Sequence, residues 1–297
     1  MKKNLILILT LLVVTVFGLT SCDGSGSSSD TESDENSVPA TTYTDEGEVK
    51  VRIFKIGKAD AILIRTHTHT MLIDAGDTDN ADEILEYFAE KGIDTLDYLV
   101  ITMFDNGHVG GAPAILGKMN VKNIIHADYV ENSPEYEAFM SALGQSKAEI
   151  TPLTEVMDIT LDDAALTLMP SDRESYTDYK DENASIIVTM KHGENSFLFA
   201  SDAHAERLAE LISSGMGTFT FLKVPDHGRV NSSSEAFIDA VKPQIAAITC
   251  SDKNIPSAEV VTALRNSGAD VYLTSGGAVK LTSDGTVLTV VHGPQPE

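Results

Sequence analysis

Short apolar segments alternate with amphipathic helical segments from about residue 48 to the end of the chain. In the helical segment 80–91, Ile84 and Phe88 lie on one face, and Gly92 stands where a helix commonly ends. Such segments bury one face against another layer, so the alternation predicts a layered α/β fold. The strands expected in the first half lie at 49–55, 59–65, 71–73, 98–102 and 121–126. The helices expected there lie at 80–91 and from Gly110 onward.

The second half of the chain repeats this arrangement of a strand meander followed by helices. Two such halves predict two packed sheets with helices outside, as one large domain or two similar halves. The segments expected here are 157–161, 165–169, 185–191, 196–200, 203–212, 219–224, 233–241, 244–249, 257–266 and three terminal strands.

The first 22 residues are typical of an export signal. Lys2 and Lys3 precede an apolar stretch from Leu5 to Leu19, which is too short for a bilayer span of roughly 20 residues. The stretch ends at Leu19-Thr-Ser-Cys22, which resembles a lipobox. The resemblance implies cleavage before Cys22, a lipid on its sulfur, and an extracytoplasmic chain anchored to the bacterial membrane. An ordinary cleaved signal with a chance cysteine is the alternative.

Residues 23–47 are rich in Ser, Thr, Asp and Glu and show no apolar periodicity. A segment of this composition cannot bury enough apolar surface to offset its ordering entropy, which predicts a disordered acidic tether. The folded domain is therefore expected over residues 48–297.

The net charge of −24 and the cysteine count restrict partners and crosslinks. An acidic domain without a dense Lys/Arg cluster repels polyanions, so no nucleic-acid partner is expected. With Cys22 assigned to lipidation, Cys250 has no intrachain partner and is predicted to be a small buried core residue.

The segment 98–111, which reads YLVITMFDNGHVGG, carries the most chemical information. A buried strand enters a polar loop and then a Gly-Gly helix start, and functional residues often lie at such a sheet edge. The segment resembles the Thr-His-x-Asp-x-Asp-His-x-Gly-Gly pattern of the ComEC-type metallo-β-lactamase family. Further segments in that family's order are 54–63, 72–76, 183–185, 197–203 and 222–228. The resemblance implies a four-layer αββα sandwich with a two-metal site at one sheet edge.

Carried over residue by residue, the resemblance assigns four site positions. His108 matches the last His of the loop, and Asp105 matches its middle carboxylate. Asp202 matches the Asp that bridges two metals, and Asp74 matches the strand-end Asp that braces the loop. Clustered imidazole and carboxylate ligands are what a hydrolytic metal site requires.

This chain departs from the family pattern at two ligand positions and in one late element. Met103 replaces the first His of the loop, and Gly107 replaces the second Asp. A thioether is a weak ligand and glycine supplies none, so one ligand is lost from each metal position. The late His-His-Gly-Ser element reads Asp226-His227-Gly-Arg. The predicted metal ligands are therefore Asp105, His108, Asp202, Asp226 and His227, for one divalent cation, zinc or another, or for none.

Structural explanations compete with several of these assignments. Asp74 is also placed for an Asx-type turn, and Asp202 for capping the helix at 203–212. Met103 is equally compatible with a core position. His67 and His69 lie in a hairpin outside the family's site and are expected to be exposed to solvent.

The predicted function is metal-dependent hydrolysis of an ester or phosphoester at the cell envelope, acting on a small-molecule or envelope substrate. In this prediction Asp202 holds the cation, while Asp226 or His227 ligates it or transfers the proton. The alternative is a catalytically inactive family member that binds a ligand or partner. The DNA-degrading role associated with ComEC-type domains is disfavoured by the acidic charge.

Overall fold

A computed structural model describes residues 42–293 of the chain. The predicted signal peptide, the predicted lipidation site Cys22 and most of the predicted tether lie outside these residues. Within 42–293, no helix is long and apolar enough to cross a membrane.

The described chain contains fifteen strands, eight α-helices and three short 3-10 turns. The strands are β1 Val49–Ile53, β2 Ile62–Arg65, β3 Thr70–Ile73, β4 Thr95–Ile101, β5 Asn120–Ala127, β6 Glu149–Leu153, β7 Met157–Leu161, β8 Ala164–Met169, β9 Ile187–His192, β10 Asn195–Phe199, β11 Phe221–Lys223, β12 Ile245–Ile248, β13 Asp270–Leu273, β14 Ala278–Ser283 and β15 Leu288–Gly293. The helices are α1 Ala81–Glu90, α2 Asn106–Val109, α3 Ala112–Lys118, α4 Pro134–Leu143, α5 Lys180–Asn183, α6 Ala205–Ser213, α7 Ser234–Val241 and α8 Ala258–Asn266.

The strands form two mixed sheets. The first has the order β15-β14-β1-β2-β3-β4-β5-β6, and the second has the order β13-β12-β11-β10-β9-β8-β7. Strands β3 to β6 are parallel to one another, as are β10 to β13. Strand β1 pairs antiparallel with β14, with Val49 opposite Ser283, so the two ends of the folded chain meet in the first sheet.

Alternation along β10 explains how the second sheet buries both faces. Phe197 and Phe199 belong to the core shared with the first sheet, whereas Leu198 belongs to a separate cluster under helices α6 to α8. Successive side chains of a strand point to opposite faces, so a run of consecutive apolar residues needs a cover on each side. The second sheet is therefore an inner layer, with helices on its outer face.

Helices α1, α3 and α4 pack beside one another and bury apolar residues against the first sheet. The buried helix positions include Ile84, Phe88, Ile115 and Phe139. Together with α6 to α8 on the other sheet, they complete four layers, so the predicted αββα sandwich is confirmed.

Helix α4 and strand β6 were not expected from the sequence. Ser133 accepts a hydrogen bond from the Tyr136 backbone N–H at 3.2 Å, and Pro134 occupies the first helical position. The apolar periodicity of α4 is weak. The residues at its start therefore mark this helix more clearly than the spacing of its apolar residues does. Cys250 is buried, as predicted, and it forms no disulfide within the described residues.

The domain is already ordered before the predicted boundary at residue 48. The Tyr43 backbone N–H donates to the His67 carbonyl at 2.9 Å, and the Thr44 hydroxyl donates to the Glu48 carbonyl at 2.9 Å. His67 Nδ1 lies 2.9 Å from the Thr44 carbonyl, so His67 and His69 are only partly exposed. The hairpin that carries them lies outside the candidate site, as predicted, but it contacts the chain that leads into β1.

Candidate metal centre

Polar residues gather where parallel strands of both sheets end. Asp74 follows β3 and Thr102 follows β4 in the first sheet. In the second sheet, Asp202 comes shortly after β10 and Thr249 directly follows β12. The carboxyl ends of parallel strands meet at one sheet edge, which is where α/β proteins commonly place their sites.

Backbone hydrogen bonds hold three loops together at this edge. The Asp60 N–H donates to the Gly107 carbonyl at 2.9 Å, and the Ala75 N–H donates to the His108 carbonyl at 2.7 Å. A Cβ at Gly111 would lie 2.2 Å from the Ala75 oxygen, so this approach requires glycine. The Gly-Gly of the sequence motif therefore serves loop packing.

Asp74 fixes the orientation of His108. Its carboxylate accepts hydrogen bonds from the Thr102 N–H at 2.8 Å, the Thr102 hydroxyl at 2.7 Å and His108 Nδ1 at 2.9 Å. Because a carboxylate can only accept, the His108 Nδ1 carries the hydrogen. His108 Nε2 is therefore directed away from Asp74 and toward Asp202, as a bracing role for Asp74 requires.

Asp60 orients His227 through an intervening hydroxyl. The Thr249 hydroxyl donates to Asp60 Oδ1 at 2.7 Å and lies 2.8 Å from His227 Nδ1. Since its single hydrogen is used on Asp60, Thr249 accepts from His227 Nδ1–H. His227 Nε2 is left to face Asp202.

The two oriented histidines converge on the carboxylate of Asp202. His108 Nε2 lies 3.4 Å from Asp202 Oδ2, and His227 Nε2 lies 3.2 Å from the same oxygen. All three residues are buried, and one donor atom from each lies within 4.8 Å of the others. Three potential ligands therefore surround one point.

A buried ammonium group lies on the other side of Asp202. Lys223 is fully buried on β11, and its Nζ forms an ion pair with Asp60 and donates to the Ser201 carbonyl at 2.9 Å. It also lies 3.7 Å from Asp202 Oδ1. Lys223 thus supplies a permanent positive charge between two carboxylates of the site.

These contacts determine the charge states of the buried groups. Burial lowers the pKa of His108, but Asp202 and Asp74 outweigh this and hold it well above its usual value. Burial raises the pKa of Asp202, but His227 and His108 hold it well below the usual range. Burial lowers the pKa of Lys223, yet Asp60 and Asp202 raise it above normal. The carboxylate of Asp202 is therefore ionised and attracts cations.

The unpaired atoms fit a divalent cation. His108 Nε2 and Asp202 Oδ1 are buried and make no hydrogen bond within the described chain. Buried polar atoms without partners are uncommon in proteins and call for an explanation. Two imidazoles and one carboxylate are a ligand set typical of catalytic zinc, which takes three protein ligands and leaves one position for water or substrate.

The backbone at this site is held in an uncommon conformation. Seven non-glycine residues of the described chain have positive φ, and Asp74, Ser201, Asp226 and His227 are four of them. A left-handed conformation is unfavourable for residues with a Cβ and is retained where the surroundings enforce it. The turn Pro225–Gly228 uses it to direct His227 inward.

The structure brings together three of the five predicted ligands. Among the described residues, the groups of three with donor atoms within 4.8 Å are His108–Asp202–His227 and Asp60–Asp74–His108, so neither includes Asp105 or Asp226. Asp105 is exposed just before α2. Asp226 is buried and accepts from Arg229 Nε at 2.7 Å.

The structure also resolves the competing explanations. Met103 is fully buried, so it belongs to the core. His204, not Asp202, is the N-cap of α6, so the capping role considered for Asp202 was wrong. The His204 ring stacks on Tyr179 with 3.8 Å between ring centroids.

Asp60, Thr249 and Lys223 were missed as site residues. Asp60 lies in the family-like segment 54–63, but that segment was used only to identify the fold. Lys223 offered a signal, because a single lysine in the apolar run 219–224 must find a buried partner. Thr249 offered none, since a threonine at a strand end is ordinary.

Comparison with known proteins shows a family match. A sequence profile described as the metallo-beta-lactamase superfamily matches residues 56–251. ComE operon protein 3 of Bacillus subtilis strain 168 is 24% identical over 176 residues, which cover 58% of this chain and 22% of that protein. Recombination protein 2 of Haemophilus influenzae is 24% identical over 205 residues, which cover 67% of this chain and 24% of that protein. The chain thus spans about a quarter of the length of these curated relatives.

A solved structure supports the fold. The crystal structure of the metallo-beta-lactamase fold protein YhfI from Bacillus subtilis aligns with a TM-score of 0.51 at 13% identity, covering 78% of this chain and 99% of that one. At this identity the likeness concerns the fold alone.

Proposed function

Because the chain belongs to the metallo-beta-lactamase superfamily and resembles its ComEC-type members, we propose that it is a hydrolase of an ester or phosphoester that works with a single divalent cation. The cation would be held by His108, Asp202 and His227. The observation that carries this proposal is the convergence of these three buried donors, with His108 Nε2 and Asp202 Oδ1 making no hydrogen bond within the described chain.

The surrounding residues supply orientation and charge. Asp74 holds His108, and the pair Asp60 and Thr249 holds His227, each with Nδ1 protonated and Nε2 facing the cluster. Such supporting hydrogen bonds commonly change metal affinity or activity by about 10–100-fold. Asp226, beside the cluster and held by Arg229, is the carboxylate that remains for proton transfer.

A bound cation would lower the pKa of a water molecule and neutralise charge that develops on the substrate. Asp202 and the two oriented imidazoles would keep it at the edge of both sheets. The strained turn at Pro225–Gly228 keeps His227 in place without a conformational search, which is the preorganisation that catalysis requires.

A second candidate function is ligand or partner binding without catalysis. It is favoured by Lys223, whose ammonium lies 3.7 Å from Asp202 Oδ1 and provides part of the positive charge that a second cation would bring. Met103, which is buried, and Gly107, which has no side chain, also favour binding without catalysis. Neither residue supplies an imidazole or carboxylate donor.

The proposal includes a location outside the cytoplasm, with a lipid anchor on Cys22. It is supported by the lipobox-like ending of the apolar segment at the start of the chain. A domain anchored there would meet substrates of the cell envelope.

Metal analysis of the purified protein, beside its hydrolysis of a panel of simple esters and phosphodiesters, tests the proposal. We expect about one divalent cation per chain, reduced in His108→Ala and His227→Ala and retained in the control His69→Ala, together with hydrolysis that follows the metal. If both site variants keep the metal and the hydrolysis, the ligand assignment is wrong. A protein that binds no cation and hydrolyses nothing would favour the binding role.

A further inference from the structure

Five cationic side chains line one cavity outside the candidate metal centre. A cavity of about 500 Å³ opens on the outer face of the first sheet, beside α1, and none of its lining residues is acidic. The cations that line it are Lys50, Arg52, Arg65, Lys91 and Lys280. In a chain with 21 lysines and arginines and a net charge of −24, such grouping is unexpected.

Strand register forces these charges together. Arg52 of β1 lies directly opposite Lys280 of β14, and Lys50 lies directly opposite Arg65 of β2. Like charges at directly opposed positions destabilise a sheet. The register therefore places four cationic side chains on one face of the sheet, where a bound anion would reduce their mutual repulsion.

Tyr87 of α1 contacts the guanidinium groups of both Arg52 and Arg65. Arg52 lies with its Cζ 4.1 Å from the Tyr87 ring centroid, and Arg65 Nη2 lies 3.4 Å from the Tyr87 hydroxyl. Arg52 is only 3% exposed, so its position is fixed by packing. Arg65, which is less buried and also lines the cavity, carries a guanidinium group of the kind that contacts the oxygens of a phosphate group in pairs.

Neighbouring acids offset only part of this charge. Glu48 pairs with Lys50 at 3.0 Å, and Glu90 pairs with Lys91 at 3.0 Å. Glu83 lies near Arg52; burial raises the pKa of Glu83, and the charge of Arg52 acts in the opposite direction. Arg65 and Lys280 extend the positive charge beyond these pairs.

We propose that this cavity is a binding site for a phosphate ester, either a small soluble molecule or a phospholipid headgroup. Its volume is in the range of small-molecule sites, about 300–1,000 Å³, and exceeds what inorganic phosphate alone would fill. A phosphate group carries up to two negative charges, which match the charge excess better than one carboxylate does. The acidic remainder of the chain opposes longer polyanions.

The site is remote from the metal centre. Arg65 and Lys50 lie at one end of β1 and β2, whereas Ile53 and Ile62, next to the loop that carries Asp60, pair at the other end. Binding here is therefore independent of the proposed hydrolysis, and each can fail alone.

Binding is measured on the full chain carrying Cys22→Ala, in buffer freed of divalent cations. The probes are inorganic phosphate, pyrophosphate, and vesicles of phosphatidylcholine with or without phosphatidylglycerol. The site variant is Arg65→Gln with Lys280→Gln. Its control is Lys118→Gln with Lys253→Gln, which removes the same charge from exposed positions elsewhere.

We expect the site variant to bind at least tenfold more weakly and the control to change less than twofold. Weakened binding of phosphate or pyrophosphate identifies a soluble ligand, and weakened binding of the anionic vesicles alone identifies a headgroup. The proposal is overturned if no probe binds the parent protein, or if the control loses as much binding as the site variant. Thermal unfolding of both variants verifies that they remain folded.

Discussion

Replacing Lys223 with methionine removes one charge from the interior while keeping a side chain of similar length. Lys223 is fully buried, in an ion pair with Asp60, 2.9 Å from the Ser201 carbonyl and 3.7 Å from Asp202 Oδ1. The variant Lys223→Met leaves two buried carboxylates without that cation. We expect a large loss of stability.

The magnitude follows from the burial of the pair. Removing one partner of a buried ion pair costs about 3–5 kcal/mol, because the remaining charge stays desolvated. In a domain of 150–250 residues, 1 kcal/mol shifts Tm by roughly 2–4 °C. The Tm of Lys223→Met should therefore fall by about 6–20 °C in metal-free buffer.

The loss should not depend on pH near neutrality. Burial lowers the pKa of Lys223, but Asp60 and Asp202 raise it above the usual value of a lysine. A group with a raised folded-state pKa contributes fully below its unfolded pKa, about 10.4 for lysine, and loses that contribution as pH rises through the folded value. The difference in Tm should be constant from neutral to mildly alkaline pH.

Calorimetry of the parent protein and two variants provides the assay. The control Lys118→Met breaks an exposed ion pair with Asp82 at 3.1 Å, which should change Tm by no more than about 2–4 °C. A divalent cation should stabilise Lys223→Met more than the parent protein, because it replaces the charge missing beside Asp202. If Lys223→Met unfolds at the parent temperature, the buried network does not have the role derived from its geometry.

Three further predictions concern other parts of the molecule. The double change Met103→His with Gly107→Asp should raise metal stoichiometry and affinity. A Cβ at Gly107 would lie at an ordinary contact distance of 3.4 Å from its nearest neighbour, so the new Cβ fits. A zinc titration that shows no gain would contradict the assignment of these positions. Asp162→Asn should lower Tm by about 2–4 °C at neutral pH, because it weakens the hydrogen bonds at 2.7 Å from the Thr66 hydroxyl and the Thr68 N–H that join the two sheets. These bonds hold the pKa of Asp162 below its usual value against the effect of burial, so the difference should disappear as pH falls through the folded-state pKa; an equal difference in strong acid would refute this. Cys22→Ala should release the protein from the membrane fraction or block its maturation, and unchanged retention of a normally cleaved product would exclude lipidation there.

The sequence predicted the layers well because apolar periodicity reflects burial directly. Alternation and helical spacing located most strands and helices to within a few residues. Helix α4 was missed because its apolar face is short, although Ser133 and Pro134 mark its start.

The site was predicted in part. His108, Asp202 and His227 followed from aligned motifs, and the structure brings them together. The supporting residues come from distant segments: Asp60 meets Thr249 and Lys223 only after both sheets have packed. A sequence pattern contains no such distance, so the hydroxyl between Asp60 and His227 could not be foreseen.

The pairing of β1 with β14 has a consequence for the order of folding. Val49 of β1 is synthesised long before its partner Ser283 of β14, because twelve other strands lie between β1 and β14 in the chain. Until then the edge of β1 has no neighbour on that side, and contacts between such distant segments form slowly. A ribosome that stops before β14 would therefore release a chain with an open, aggregation-prone strand edge. Synthesis of β14 is thus a requirement for completing the hydrogen bonding of β1.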